Sequence, residues 1–297
     1  MKFLILGSEG QLGKALQKKL STLSISFESF SRKDLNIESI EQIKKNLSEV
    51  HFDLMINCAA YTSVDAAENN TEAAFLANEN GPKNLAIFCN DFSKKLIHIS
   101  TDFVFDGNNN SPYKPSDLTN PINIYGSSKL AGEKHITTLC SKYLIIRTSW
   151  VFGGKGNNFF NTICRLANGS RPISIVGDQF GSPTYVFDLA DAVITSAISL
   201  VTEVESRLES IYGIYHYAGY PECSWYDFAE YILNRGVISK KLHNDFKLQK
   251  IKSSEFKTTA KRPKYSALDS SSFCNLFLCK PSNWKQGVDE LFFSEIL

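Results

Sequence analysis

The sequence predicts an α/β fold, a doubly wound parallel sheet followed by a smaller C-terminal α/β lobe. Three observations lead there. Short apolar runs alternate with amphipathic helical stretches from the first residues to about residue 150, the rhythm of right-handed βαβ units. The apolar runs are near-continuous rather than alternating, so each strand is covered on both faces. Past Trp150 the rhythm loosens into short segments separated by Gly and Pro, which reads as a second, smaller unit.

Taken in order, Lys2 to Leu6 is a buried strand, and Leu12, Leu16 and Leu20 recur at helical spacing. Phe27 to Phe30 is a second strand and Ile37 to Leu47 a helix. The apolar run Asp53 to Ala60 supplies the third strand, a long helix runs from about Ala66 to Asp91, and Lys95 to Ile99 is the fourth strand. The Pro- and Asn-rich segment Asn108 to Pro121 is a long loop, of the kind that inside a compact domain is usually functional. A helix from about Tyr125 to Ser141 and a strand Tyr143 to Ile146 restore the rhythm. The boundary falls at 149/150: residues 1–149 form the first domain and 150–297 the second lobe, with 185–205, around the helical stretch Asp188 to Leu200, packing back on the first.

The 297 residues carry 32 Lys and Arg against 31 Asp and Glu, a formal net charge of +1. Bulk charge therefore argues against a nucleic-acid partner. The neutral total conceals a basic stretch, because between Arg235 and Lys264 ten Lys and Arg face two Asp and Glu. That stretch fits either a flap attracting a nucleotide diphosphate or a solvated loop. Seven scattered cysteines with no CxxC pair, and five histidines with no HxH or HExxH spacing, give no disulfide framework and no metal site. The N-terminal apolar run Phe3-Leu4-Ile5-Leu6 is too short for a signal peptide or a membrane span, so a cytoplasmic protein without a membrane partner is expected. A homodimer stays open.

Gly7, Gly10 and Gly13, with Gln11 and Leu12 between them, follow the first strand and open a helix. Exposed backbone N–H groups and the positive end of a helix dipole converge at such a point, and glycines let a dinucleotide's phosphates approach the main chain. The glycines alone fit a ligand-free strand-to-helix turn equally well. At the end of the second strand stand Arg32 and Lys33, where an enzyme selective for NAD would place an acid to hold the ribose 2′-hydroxyl. Cations there favour a 2′-phosphate and hence NADPH, with NADH left open. Asp34 and Leu35 follow and are placed at the adenine. Cys58, Ala59 and Ala60 end the third strand with small residues against which a cofactor can lie.

Tyr125 and Lys129 are spaced i, i+4 and leave one face of a helix. A Tyr hydroxyl ordinarily titrates near ~10, and an adjacent ammonium is expected to lower that value. The pair alone is a common surface spacing. Its position adds weight, because Ser100-Thr101-Asp102 ends the preceding strand at the edge of the sheet where open α/β proteins bind ligands. A hydroxyl at Thr101 would complete a set of three for acid catalysis at a substrate oxygen.

With these residues in view, the chain resembles the extended short-chain dehydrogenase/reductases, with their GxxGxxG loop, and within them the dTDP-4-dehydrorhamnose reductases. The resemblance runs over nearly the whole chain. It is carried by Gly7 to Gly13, Asn57 to Asp65 with Glu68, Ser100 to Gly107, Asn123 to Glu133, Arg147 to Phe152 and Gly156 to Phe159. In the second lobe it continues through Asp178 to Thr184, Gly213 to His216, Ser224 to Ala229 and Arg262-Pro263. It implies a Rossmann-type fold with a substrate-binding lobe, and NAD(P)H-dependent reduction of the 4-keto group of a dTDP-linked 4-keto-6-deoxy sugar to dTDP-L-rhamnose, a precursor of surface polysaccharide.

Carried over position by position, the resemblance implies Tyr125 as proton donor, Lys129 at the nicotinamide ribose and tuning Tyr125, and Thr101 adjusting the acid and touching the sugar. Asp102, Trp150 and Val64 line the sugar site, while Gln11, Leu12, Asp34, Leu35, Ala60, Tyr61 and Thr62 touch the cofactor. Phe103 stands where the family often has Tyr. The related 4,6-dehydratases carry Thr-Asp-Glu at the triplet that reads Thr101-Asp102-Phe103 here, so the elimination lacks its Glu. Two other readings stay open: a 4-keto reductase or epimerase acting on another nucleotide sugar, and a non-catalytic relative of the regulatory subunit of methionine adenosyltransferase.

Overall fold

The computed structural model describes residues 1–169 and 171–294. The first half follows the expected alternation: β1 (Lys2–Leu6), α1 (Gln11–Thr22), β2 (Ser26–Phe30), α2 (Ile40–Leu47) and β3 (Leu54–Asn57), then α3 (Val64–Asn69), α4 (Thr71–Phe75), α5 (Gly81–Asp91), β4 (Lys95–Thr101), α6 (Ile124–Leu139) and β5 (Tyr143–Thr148). Among the described residues the central sheet has six strands, in the order Gly213–His216, β5, β4, β3, β1, β2. Every pairing in it is parallel. The chain leaves β1 toward β2 on one side and continues with β3 on the other. Beyond the carboxyl ends of strands at such a reversal, open sheets leave a crevice for ligands.

Side chains that alternate along the strands separate two cores. Phe3, Ile5, Leu54, Ile56, Ile97, Leu144 and Ile146 pack on α1 and on the helix Val186–Thr202. Leu4, Leu6, Met55, Leu96 and Ile145 pack on α2, α5 and α6 from the other side. Strand burial on both faces is why these segments read as unbroken apolar runs. Beyond Val186–Thr202, the chain returns to this body with the strand Gly213–His216 and the helix Ser271–Phe277, whose Phe273 and Phe277 belong to the α1 side. Their hydropathy resembles that of their neighbours, so no sequence signal assigns them to the sheet.

The long helix expected from Ala66 to Asp91 is interrupted twice. Asn70 leaves helical geometry at φ −127° and ψ 49°, and Leu76–Asn80 forms a π-helical turn before α5. The turn places Asn78 inward, where its amide holds the main chain of Tyr61 from both sides, accepting from Tyr61 N at 2.8 Å and donating to Tyr61 O at 3.0 Å. Single π turns are common at functional sites, and this one shapes a cleft wall.

The second lobe has its own core, rich in aromatics. Phe152, Phe160, Phe228, Trp284 and Phe292 meet there, contributed largely by the helices Phe159–Ala167, Trp225–Ile238 and Trp284–Phe293. Part of the basic stretch is structured: Leu248–Ile251 pairs in parallel with Ile173–Val176, and Lys250 lies over the Tyr226 ring.

Candidate active site

A cleft of about 810 Å³ opens at the carboxyl ends of β1, β3, β4 and β5, between the sheet and the second lobe. It brings together every candidate site residue named from the sequence except Lys33 and Asp34. The Asp34 carboxylate turns back to accept from the backbone N and the hydroxyl of Ser31, at 2.8 and 2.6 Å, and these bonds hold it below the usual carboxylate range. It shapes the Ser31 turn, and Asp34 is not among the residues lining the cleft.

At one end of the cleft the wall is main chain. Gly7 has φ +79°, and a Cβ there would sit 2.6 Å from the N of Ala59; at Gly13 a Cβ would sit 2.3 Å from the Gly7 carbonyl oxygen. β1, the loop, α1 and the end of β3 therefore close on one another only without side chains. Gly10 caps α1, and no side chain caps the helix's first turn. Its donors are left for an anion, as a dinucleotide's phosphates require. Arg32 extends a largely exposed guanidinium at the far end, paired with Glu38 at 3.0 Å.

The reacting groups stand at the middle. α6 begins at Asn123, whose Oδ1 accepts from Gly126 N at 2.8 Å while its Nδ2 donates to the Lys261 carbonyl at 2.8 Å. This cap ties the helix carrying Tyr125 to the second lobe. The Thr101 hydroxyl donates to Asp102 Oδ1 at 3.0 Å and accepts from Phe103 N at 3.2 Å. The Thr101 hydroxyl also favours the ionised form of Tyr125. In this arrangement the Thr101 proton points at Asp102.

Burial pushes the Tyr125 hydroxyl up to about 12, against the Thr101 hydrogen bond and with help from the Asp102 charge. The expected lowering by Lys129 is absent from this balance. Lys129 is itself buried and its ammonium is spent elsewhere, donating to the Ile99 carbonyl at 2.7 Å and facing His98 Nε2 at 3.3 Å. Burial lowers Lys129 to about 8, opposed by Glu133 and Cys58. Glu133 in turn is held by Arg147 in a buried ion pair at 2.7 Å.

Three polar atoms in the cleft wall, Ser100 Oγ, Asp102 Oδ2 and Thr148 Oγ1, are buried without a partner among the described residues. Such atoms cost stability unless a ligand or water meets them. Burial raises the Asp102 carboxyl to about 6, opposed by the nearby Ser266 and Thr101 hydroxyls.

At the other end the wall is side chains from the second lobe. Trp150 is in the left-handed region at φ +46°, and its ring stacks on Trp225 with centroids 3.4 Å apart and planes 8° apart. Sequence reasoning picked Trp150 and missed Trp225, Lys155, Asn158 and Arg262, which also line the cleft. Asn158 donates to the Gln11 side chain at 2.7 Å, bridging the lobe to the glycine loop. Of the ten cations between Arg235 and Lys264, Arg262 lines the cleft, and it is paired with Asp65 of α3. Gly153, Gly154 and Gly156 just before Asn158 were the available signal for a close approach there. Trp225 had only its place in the family segment Ser224 to Ala229, because a Trp opening a helix otherwise reads as core.

No cluster of three or more metal-ligating side chains occurs among the described residues, and no described helix is long and apolar enough to cross a membrane.

Comparison with known proteins gives a consistent answer. The model of the RmlD substrate binding domain matches residues 1–295. A dTDP-4-dehydrorhamnose reductase from Aggregatibacter actinomycetemcomitans is 37% identical over 98% of each chain, and one from Escherichia coli K12 is 34% identical over 98% of this chain and 97% of its own. Among solved structures, a dTDP-4-dehydrorhamnose reductase from Clostridium acetobutylicum superposes with TM-score 0.89 at 36% identity over 98% of both chains. Another, from Bacillus anthracis and in complex with NADP, gives 0.87 at 36% identity over 98% of both chains. A UDP-glucose 4-epimerase from Thermus thermophilus, at 14% identity and TM-score 0.78 over the full length of both chains, shares the fold alone. By the family match and by identity sustained over nearly its whole length, the chain belongs to the RmlD substrate binding domain family, among the dTDP-4-dehydrorhamnose reductases.

Proposed function

We propose that the protein reduces the 4-keto group of dTDP-4-dehydro-6-deoxy-L-mannose to dTDP-L-rhamnose, with NADPH as preferred reductant and NADH as an alternative, in the cytoplasm. The observation that carries the reading is the meeting, in one cleft, of a main-chain anion cradle at Gly7 to Gly13 with the set Thr101, Tyr125 and Lys129. The uncapped start of α1 and the side-chain-free approach of Gly7 to Ala59 fit a dinucleotide, and Arg32 at the outer end suits a 2′-phosphate.

NADPH, when bound, supplies the hydride for the carbonyl carbon. Tyr125 gives its proton to the carbonyl oxygen as charge develops there. A hydroxyl held up at about 12 keeps that proton throughout the neutral range, and the alkoxide forming at the substrate is a stronger base than a phenolate, so transfer is downhill. Thr101, which favours the ionised form of Tyr125, steadies the phenolate left behind, and Lys129 stands in the same pocket for the nicotinamide ribose. Asp102 and Ser100 offer unpaired polar atoms to the sugar, and the stacked Trp150 and Trp225 offer it an aromatic wall.

A dehydratase is disfavoured because Phe103, packed edge-on to the Tyr125 ring at 5.6 Å, occupies the place of the required acid. Purified protein given NADPH and enzymatically made dTDP-4-keto-L-rhamnose is expected to consume the cofactor, measured by loss of nicotinamide absorbance, and to favour the dTDP substrate over UDP and GDP counterparts. No loss at saturating substrate would sink the proposal.

A further inference from the structure

Behind the cleft wall, Asn57 at the end of β3 and His98 in β4 form a polar chain that ends on Lys129. Both are fully buried, and neither is among the residues lining the cleft. The backbone decides how the chain is wired. Ala59 N donates to Asn57 Oδ1 at 3.0 Å, so the amide NH2 must point the other way, and it lies 2.9 Å from His98 Nδ1. An NH2 group only donates, which makes Nδ1 the acceptor and leaves the proton of the neutral ring on Nε2.

Nε2 lies 3.3 Å from Lys129 Nζ. An ammonium at Nζ would set one N–H against another, whereas an amine would offer Nε2–H its lone pair and still donate to the Ile99 carbonyl. His98 has no escape by taking a second proton. That proton would face the Asn57 NH2, and burial together with the Lys129 charge holds the imidazole well below its ordinary value.

We propose that His98 is a positioning residue for the reduction: fixed by Asn57 as the Nε2–H tautomer, it donates to Lys129, disfavours the ammonium, and so sets the pH at which Lys129 gives up its charge. Three other groups stand around Lys129. Glu133, one turn along α6, is engaged in the buried ion pair with Arg147; the Cys58 thiol beyond β3 and the Tyr125 hydroxyl are each pushed up to about 12. Asp102, which faces Tyr125, titrates on the acid side at about 6. Lys129 itself, brought down to about 8, is left to define the alkaline limb.

The test has two readings. In the whole protein labelled with ¹⁵N-histidine, one of the five rings is expected to hold its proton on Nε2, with a bare Nδ1, from pH 6 to 9, and to vanish from the spectrum in His98→Gln. An Nδ1–H or imidazolium form would overturn the proposal without any activity measurement. The second reading is the pH profile of kcat/KM for NADPH-dependent reduction. His98→Gln can turn its amide oxygen to the ammonium, and Asn57→Asp keeps the bond from Ala59 but accepts from Nδ1–H, reversing the tautomer. Each variant is expected to move the alkaline limb upward by about one pH unit, the size of a single hydrogen-bond or charge effect on a buried group. A uniform loss of activity at every pH with the limb unmoved would mean that His98 only fills space. If either variant fails to fold, the other variant and the wild-type tautomer still decide the matter.

Discussion

At the cofactor end of the cleft the wall is backbone: the Gly7 to Gly13 loop, the uncapped start of α1 and the end of β3, closed to within van der Waals contact by the absence of side chains. At the sugar end it is side chains delivered from far along the chain, Trp150 stacked on Trp225 and Arg262 paired with Asp65. The two ends fail differently when altered. A backbone cradle tolerates no added atom but is indifferent to most neighbouring side chains. A side-chain wall loses one contact at a time. Tyr125 stands where they meet, on a helix whose cap at Asn123 is bonded to the second lobe.

The comparison is broken most readily at the loop. Gly13→Ala places a Cβ 2.3 Å from the Gly7 carbonyl oxygen, an overpacking that costs about 1–3 kcal/mol. It should weaken NADPH roughly 5–150-fold in a fluorescence titration, with the circular dichroism of the fold retained. An unchanged affinity would show that the loop is no cradle. At the other end, Trp225→Ala removes a stacked ring worth about 0.5–1.5 kcal/mol. It should raise the KM for the nucleotide sugar roughly 2- to 12-fold while leaving the NADPH dissociation constant alone. A loss of cofactor affinity instead would join the two ends into one site and end the distinction.

The same contrast explains what could be read from the sequence. Main-chain sites leave a spacing behind, because only glycine at Gly7 and Gly13 permits the approach, and the sheet that positions them announces itself through apolar runs such as Lys2 to Leu6. Tyr125 and Lys129 were legible because a helix fixes i, i+4 neighbours on one face. Trp225, Asn158 and Arg262 were not, because each reaches the cleft through the packing of the second lobe rather than through its own neighbours. The strand Gly213–His216 was hidden for the same reason: its place beside β5 depends on a long-range pairing. The effect of Lys129 on Tyr125 was misjudged because spacing puts two side chains on one face without saying where their ends go. Lys129 turns to the Ile99 carbonyl and His98, and burial governs Tyr125.

The most direct test of the account separates binding from chemistry at the point where the two ends join. Tyr125→Phe removes the proton donor and adds no atom to either wall. NADPH titration and single-turnover hydride transfer to dTDP-4-keto-L-rhamnose, measured on the same preparation, should give an unchanged dissociation constant and a rate lower by the ~10²–10⁴-fold of a lost general acid. Full activity in that variant, with the cofactor still bound, would contradict the assignment of Tyr125.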